Sequence, residues 1–465
     1  MKLYNTMTKK IEEFIPNDDR CVKLYTCGPT VYSFAHIGNL RTYISEDILE
    51  KSLVYLGYKV KRVMNITDVG HLSSDADIGD DKMVTSAKRE NKSVLDIAKF
   101  YTDAFFKDSE LLNIKKPEII SPATENISEF IKIIEKLLEK DYAYIAGGNI
   151  YFDTSKLNNY YVLTNQSEED MLIGVRDDVK EDENKKNKTD FVLWFTKSKF
   201  DDQELKWDSA WGMGYPGWHI ECTGISIKYL GEYLDIHCGG VDNIFPHHTN
   251  EIAQSEAYLS HPWCKYWFHA EFLTDESGKM SKSKGDSLIL STLIEKGYNP
   301  LSYRYMCLVS HYRNQLIFTY DALDGAENAY YKLKEKIAKL EEIEEINEEQ
   351  FNNFDDKFKN ILSDDLNTAN AITLIYDLLK SDINNSTKLA LINKWDSEVL
   401  GLNLTKKEII DSELISEIEE KIKERNIAKE NKDFTTSDRI RDELFKKGIH
   451  LEDTKEGTIY KILNK

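Results

Sequence analysis

Residues 21–70, "CVKLYTCGPTVYSFAHIGNLRTYISEDILEKSLVYLGYKVKRVMNITDVG", constrain the fold more than any other stretch of the chain. A β-rich run over residues 22–27 meets a Gly-Pro turn, and residues 38–56 then carry helical period through Leu40, Ile44, Ile48 and Leu49. Gly57 stands where such a helix stops, and "YKVKRVMNI" returns as a second strand. Strand, helix and strand in that order form a βαβ unit, and its parallel pair belongs to an open α/β sheet. Such sheets bind ligands at the carboxyl ends of their strands, so chemistry is expected first in the turn after residue 27.

The rest of the chain extends this pattern with one interruption. Helical periods follow at about 93–112 and 126–140. Residues 142–205 then hold short aromatic β-like runs, "YAYIAGGNIYFD" and "FVLWF", around a charged loop, "RDDVKEDENKKNKTD", that reads as solvated. The α/β alternation resumes with "EYLDIHCGG" as a strand, 247–260 as a helix, "KYWFHAEFL" as a strand and a loop at 274–287. Beyond about residue 300 the pattern is helical, with "LEEIEEINEEQ" an acidic face or linker that carries no chemistry. The tail from 411 to 448 mixes helices with Lys and Arg, and Gly457 marks an expected hairpin turn near its end.

Composition narrows the class. A chain of 465 residues, 41% hydrophobic and 31% charged, suits two to four globular domains. The N-terminus lacks a secretory apolar region and no run is long enough to span a bilayer, so a cytoplasmic protein is expected, with no membrane partner. A net charge of −20 argues against blanket binding to DNA or anionic lipid, while leaving room for a nucleic acid on a local basic strip. The six cysteines form no CxxC pair and no secreted disulfide framework. Separate thiols of this kind are buried hydrophobes, metal ligands or nucleophiles.

Three short strings carry chemistry. "AHIGN", residues 35–39, opens a helix after a strand, where backbone N–H groups and the helix dipole favour phosphate. There His36 can donate to a phosphate oxygen, and Gly38 leaves room for a flat base. "GKMSKSKG", residues 278–285, places Lys279 and Lys282 in a glycine-flanked cationic loop suited to a triphosphate and its departing pyrophosphate. "FPHHTNEIAQ" sets His247 and Glu251 four residues apart, on one face of a helix, with His248 as a rival to His247. An imidazole and a carboxylate so placed are half of a metal site, or an ordinary polar pair.

The HIGH-like and KMSKS strings, at the two ends of a split α/β sheet, resemble a class I aminoacyl-tRNA synthetase. "LYTCGPTVY", "NITDVGH", "GWHIEC", "LDIHCGGVDNIFPHHTNE" and "HYRNQL" resemble the cysteinyl-tRNA synthetase family more closely, over roughly residues 1–320. The resemblance implies ATP- and Mg²⁺-dependent attachment of L-cysteine to tRNA(Cys), by way of a cysteinyl-adenylate. It implies one Zn²⁺ per chain on Cys27, Cys222, His247 and Glu251, residue types that are all ordinary zinc ligands. It further implies that Thr67 and Trp218 line the cysteine pocket, that His219 and His237 lie near the reacting carboxylate, and that His36, Gly38, Asn39, Lys279 and Lys282 serve ATP. In the tail it points to Asp438 and Asp453 as anticodon readers, since carboxylates accept from exocyclic amines.

The implied architecture is a Rossmann-like parallel-sheet catalytic domain (1–141 and 206–300) split by a connective segment (142–205). A helical bundle (301–410) and a small C-terminal anticodon-binding element (411–465) complete it. The connective segment is short for an editing domain, and a monomer is the expected state. Two residues depart from the family pattern. Asn39 replaces the final histidine of the HIGH-like string, for which a modest kinetic effect is expected, and Thr249 stands where an acidic residue is usual. A cysteine ligase acting on a small amine, and a non-catalytic zinc and RNA-binding module, are the alternatives. The long helical tail argues against the first and the complete KMSKS loop against the second.

Overall fold

The computed structural model describes the chain except residues 19, 70–81, 165–181, 198–204, 276–277, 280–287, 407–411, 447–448, 455–456 and 463–465. Its centre is a five-stranded parallel sheet in the order Cys264–Ala270, Leu234–Gly240, Val22–Thr26, Val60–Ile66, Ile119–Pro122. Val22 pairs with Val60 and Leu24 with Ile236, so the first βαβ unit folds as its sequence pattern requires. The chain builds outward in one direction from Val22–Thr26, then returns to build outward in the other from Leu234–Gly240. Strand order therefore reverses between these two, and the crevice beyond their carboxyl ends is the fold's natural ligand position.

The helix Ile37–Tyr55 crosses the sheet and is buried nearly all round, charged residues included, because the sheet covers one side of it and the helical region the other. By contrast, Ile127–Glu139 buries only the stripe Ile127, Phe130, Ile133, Ile134 and Leu137, the spacing of a surface helix. Between that helix and Trp218–Leu230 lies a four-stranded antiparallel sheet, Ala143–Ala146, Asn149–Phe152, Phe191–Phe195 and Tyr215–Pro216. Its aromatic runs are the β-like runs of the sequence, and its last strand lies past residue 205.

The sequence reading of 247–260 and 274–287 needs revision. A kinked π-helical turn, Ile244–His248, precedes the α-helix, which starts at Thr249 because Phe245 takes an extended conformation before Pro246. The expected loop begins as a hairpin, with Thr274 paired to Lys279, and Leu273–Asp275 is joined on its other side by Leu316–Ile317.

Helices Pro300–Leu308, Tyr320–Ala338, Glu348–Leu362, Thr368–Lys380 and Asn385–Trp395 follow, and one continuous hydrophobic core joins them to the sheet. Helices Ser412–Glu430 and Phe434–Lys446 and the hairpin Ile449–Thr454/Gly457–Ile462 have a small core of their own around Ile418, Ile440, Leu444, Ile449 and Leu451. Gly457, at φ +135°, occupies the expected turn.

A buried ion pair fastens the bundle to the sheet. Arg304 donates to Asp47 (2.6 Å), to Leu400 O (2.7 Å) and to Leu112 O (2.9 Å), so one guanidinium ties three segments. Arg304→Met should leave Asp47 ionised, buried and short of its main counter-charge, at a cost of about 3–5 kcal/mol. Chemical denaturation checks this: the midpoint should fall markedly, and Asp47→Leu in the same chain should recover most of the loss. Equal midpoints for wild type and Arg304→Met would remove the pair from the structural account.

Candidate active site and metal centre

Cys27 ends the strand Val22–Thr26 and its N–H donates to Cys238 O at 3.2 Å, which seats it in the crevice where strand order reverses. The next residue must be glycine. A Cβ on Gly28 would lie 1.6 Å from Asn65 O, and the Gly28 N–H instead donates to Asn65 Oδ1 at 2.8 Å. Cys222 faces Cys27 from the helix Trp218–Leu230, His247 from the kinked turn, and Glu251 from the first turn of Thr249–Leu259. The four donors lie within 4.8 Å of one another.

Their spacing can be tested against a tetrahedral ion. Two sulfurs at zinc distance on a tetrahedron stand about 3.8 Å apart, and a sulfur and a nitrogen about 3.5 Å. The Cys27 and Cys222 sulfurs are 3.8 Å apart, and Cys222 Sγ is 3.5 Å from His247 Nε2. His247 Nε2 and Glu251 Oε1 are closer, at 2.9 Å, the distance of an ion pair. The residues present thus fit the group. A second set, Cys27, His237, His248 and Glu251, also lies within 4.8 Å. It shares two members with the first but offers one thiol instead of two, and thiolates are what favour zinc over harder ions.

Cys222, His247 and Glu251 are buried and Cys27 is partly buried, so their charges must largely compensate internally. Burial opposes ionisation of Glu251, but His237 and His247 hold its carboxyl at about 2. Burial likewise opposes a charged His247, yet Glu251 and Cys222 raise it to about 10. Against burial, hydrogen bonds from Cys27 and His247 bring the Cys222 thiol down to about 6. Burial, and then Cys222 and Glu251, push Cys27 well up. One thiolate and one carboxylate beside an imidazolium is a donor set poised to exchange protons for a divalent cation.

The other expected residues gather round this centre. His237 Nε2 meets Glu251 Oε2 at 2.6 Å, and His219 Nδ1 meets His247 Nδ1 at 2.9 Å; both rings are fully buried and each holds a candidate ligand in orientation. Trp218 stacks on His247 with ring centroids 4.1 Å apart. The Thr67 hydroxyl donates to Glu221 Oε2 at 2.7 Å. Thr249, the departure from the family pattern, donates to Ile244 O at 2.7 Å and so closes the kinked turn that carries His247.

Sequence reasoning missed a relay behind Cys27. His248 Nε2 lies 3.3 Å from Cys27 Sγ, His248 Nδ1 lies 2.8 Å from His269 Nε2, and His269 Nδ1 lies 2.8 Å from Thr6 Oγ1. Its four members come from two distant stretches of chain, residues 6–27 and 248–269. The only local signal was the period-2 alternation that puts His269 on the same strand face as Trp267.

Where phosphate is expected, His36 caps the helix Ile37–Tyr55. Its Nδ1 accepts from Asn39 N (3.1 Å) while Asn39 Oδ1 accepts from His36 N (3.3 Å), a reciprocal capping box. Asn39 therefore has a structural use, and an accepting Nδ1 leaves the ring proton on Nε2. A Cβ on Gly38 would crowd the His36 ring, 3.0 Å from its Nδ1, while standing at ordinary contact from Leu273 Cβ, at 3.6 Å. Lys279 is placed by its backbone only, opposite Thr274, and Lys282 lies outside the described residues.

The two tail aspartates differ. Asp438 is exposed on a helix and pairs with Arg441 at 3.3 Å. Asp453 accepts from Arg425 (2.8 and 3.0 Å), Lys429 and Thr458, contacts that hold its carboxyl far below the usual range and tie the hairpin to the helix Ser412–Glu430.

Comparison with known proteins agrees with this geometry. Residues 13–328 match the family described as tRNA synthetases class I (C) catalytic domain, and residues 357–405 match the DALR domain. The cysteine–tRNA ligase of Treponema denticola is 46% identical over 100% of both chains, and that of Borrelia garinii subsp. bavariensis is 44% identical over 98% of each. Among solved structures, methionyl-tRNA synthetase of Mycobacterium tuberculosis bound by methionyl-adenylate is 13% identical. It superposes with a TM-score of 0.55, covering 83% of this chain and 93% of its own, which speaks for a shared fold. The identity to curated relatives along the whole chain, together with the class I domain match, places the protein in the cysteine–tRNA ligase family of class I aminoacyl-tRNA synthetases.

Proposed function

We propose that this cysteine–tRNA ligase joins L-cysteine to tRNA(Cys) through a cysteinyl-adenylate, and that Cys27, Cys222, His247 and Glu251 hold one zinc ion that selects the amino acid. The observation carrying the reading is the convergence of two thiols, an imidazole and a carboxylate, with the sulfur spacings of a tetrahedral site. When bound, zinc supplies a Lewis-acidic position that prefers a thiolate to a neutral hydroxyl. That preference answers a real difficulty. Cysteine and serine are nearly isosteric, and a pocket judging shape alone discriminates poorly.

The chain's own residues supply the remaining functions. Trp218, stacked on His247, and Thr67, bonded to Glu221, wall the cysteine side of the crevice. The Nε2 proton of His36 and the N–H groups of the helix end face the position for ATP phosphates, with Gly38 leaving space for the base. Lys279 and Lys282 neutralise the charge that grows on departing pyrophosphate, together with the Mg²⁺ that accompanies ATP. The carboxylate of cysteine attacks the α-phosphorus, and the terminal ribose hydroxyl of tRNA then attacks the activated carbonyl. Positioning and charge stabilisation account for the rate, with no protein nucleophile. Asp438 and Asp453 belong to the proposed anticodon end, with Asp453 having to exchange its present partners for a base edge. Among the described residues no helix is long and apolar enough to cross a membrane. A cytoplasmic monomer is the proposed state.

Two experiments test the reading. Purified protein should carry about one zinc per chain, and Cys222→Ser should lose most of it. Cysteine-dependent pyrophosphate exchange should then fall much more through cysteine binding than through ATP binding, and preference over serine should fall with it. A metal-free wild type that still prefers cysteine contradicts the mechanism. Deleting residues 411–465 should leave pyrophosphate exchange intact and weaken tRNA charging, because the deleted part has its own core. Equal loss of exchange and charging would make the tail a structural element instead.

A further inference from the structure

Arg41 lies on the helix that His36 caps and is 1% exposed. Its guanidinium spends its donors on four main-chain carbonyls: NH1 donates to Glu271 O (2.9 Å) and Phe272 O (2.5 Å), and NH2 to Asn314 O (2.5 Å) and, more weakly, His311 O (3.4 Å). Among the described residues no carboxylate pairs with it. A cation buried among carbonyls is costly unless its geometry is fully used, and only a planar guanidinium can reach two segments at once.

Those segments are specific. Glu271 and Phe272 lead directly into Leu273–Asp275, the first strand of the hairpin whose second strand carries Lys279. His311 and Asn314 lead into Leu316–Ile317, which pairs with that first strand from its other side. The far end of the same connection returns to this helix as well, since Ile37 N donates to Leu288 O at 2.9 Å and His36 bridges to Ile289. The chain on either side of this connection is thus held to the His36 helix, by Arg41 just before Leu273 and by backbone pairing at Leu288 and Ile289.

We infer that Arg41 is a positioning residue for ATP: it fixes the hairpin bearing Lys279 at a set distance from the helix end bearing His36. This rests on the proposed ATP site and adds a residue that touches neither substrate nor metal. Arg41 acts only through the two groups it registers, so its loss should separate the ATP side of the reaction from the cysteine side.

The test uses the full chain with its zinc. Arg41→Lys replaces a two-armed donor with a single ammonium that cannot span both segments. Expected is a KM for ATP raised about tenfold and a kcat for cysteine-dependent pyrophosphate exchange lowered about 10²-fold, the scale of a displacement of about 1 Å. Zinc content and the KM for cysteine should stay within twofold of wild type, and free guanidinium should restore part of the rate in Arg41→Ala. Leu316→Pro, which removes the bond from Leu316 N to Phe272 O (3.1 Å) and restricts the backbone of Gln315 beside it, should show the same ATP-specific defect in milder form. It carries the test if the Arg41 variants do not fold. Wild-type ATP kinetics in a folded Arg41→Lys, or in Leu316→Pro when Arg41→Lys does not fold, overturns the inference. Parallel loss of zinc, cysteine and ATP binding reduces Arg41 to a packing role and overturns it too. A wild type without cysteine-dependent exchange would instead overturn the ATP and cysteine reading itself.

Discussion

Two thiols, an imidazole and a carboxylate packed within 4.8 Å, all buried except the partly buried Cys27, repel or compensate one another according to their protons. In a low dielectric no such cluster can carry several uncompensated charges. The structure meets this with an ion pair between His247 and Glu251 and with a Cys222 thiol shifted down to about 6 beside a Cys27 held neutral. Everything near the centre serves that balance. His237 and His219 orient ligands, Trp218 covers His247, and the fold brings the four donors from four separate turns of chain to one crevice.

The second theme is the use of buried arginines as joints. Arg304 ties the bundle to Asp47, Arg62 lies between Glu46 and Glu50, and Arg41 ties the hairpin to the helix of His36. Each is fully buried; Arg41 and Arg304 connect elements distant in sequence, while Arg62 joins its strand to the helix that precedes it. Glu46, with only Arg62 to offset its burial, is pushed up to about 8. Geometry of this kind lets a site assembled from distant segments be held at ångström tolerance, which transition-state stabilisation requires.

How much of this the amino-acid string reveals depends on range. The strand Val22–Thr26, the helix Ile37–Tyr55, the stop at Gly57 (φ +96°) and the turn at Gly457 follow from local rules of period and backbone freedom. His247 and Glu251 were readable as an i,i+4 pair, though the helix that holds Glu251 begins only at Thr249. Choosing Cys27 and Cys222 from six cysteines needed family resemblance, because nothing local distinguishes them. Arg41 and Arg304 stayed illegible for a plainer reason. Their partners include backbone carbonyls, which carry no residue identity, up to 273 positions away. Asn39 looked like a defect in a motif until the reciprocal cap with His36 showed its use.

The central claim is that the amino acid is recognised by its sulfur at this metal centre. X-ray absorption at the zinc edge measures that directly, on the intact enzyme before and after addition of L-cysteine or L-serine. The account predicts a shell with two sulfurs at about 2.3 Å that gains a third sulfur with cysteine and stays unchanged with serine. A shell that holds zinc but shows no added sulfur at saturating cysteine would contradict it.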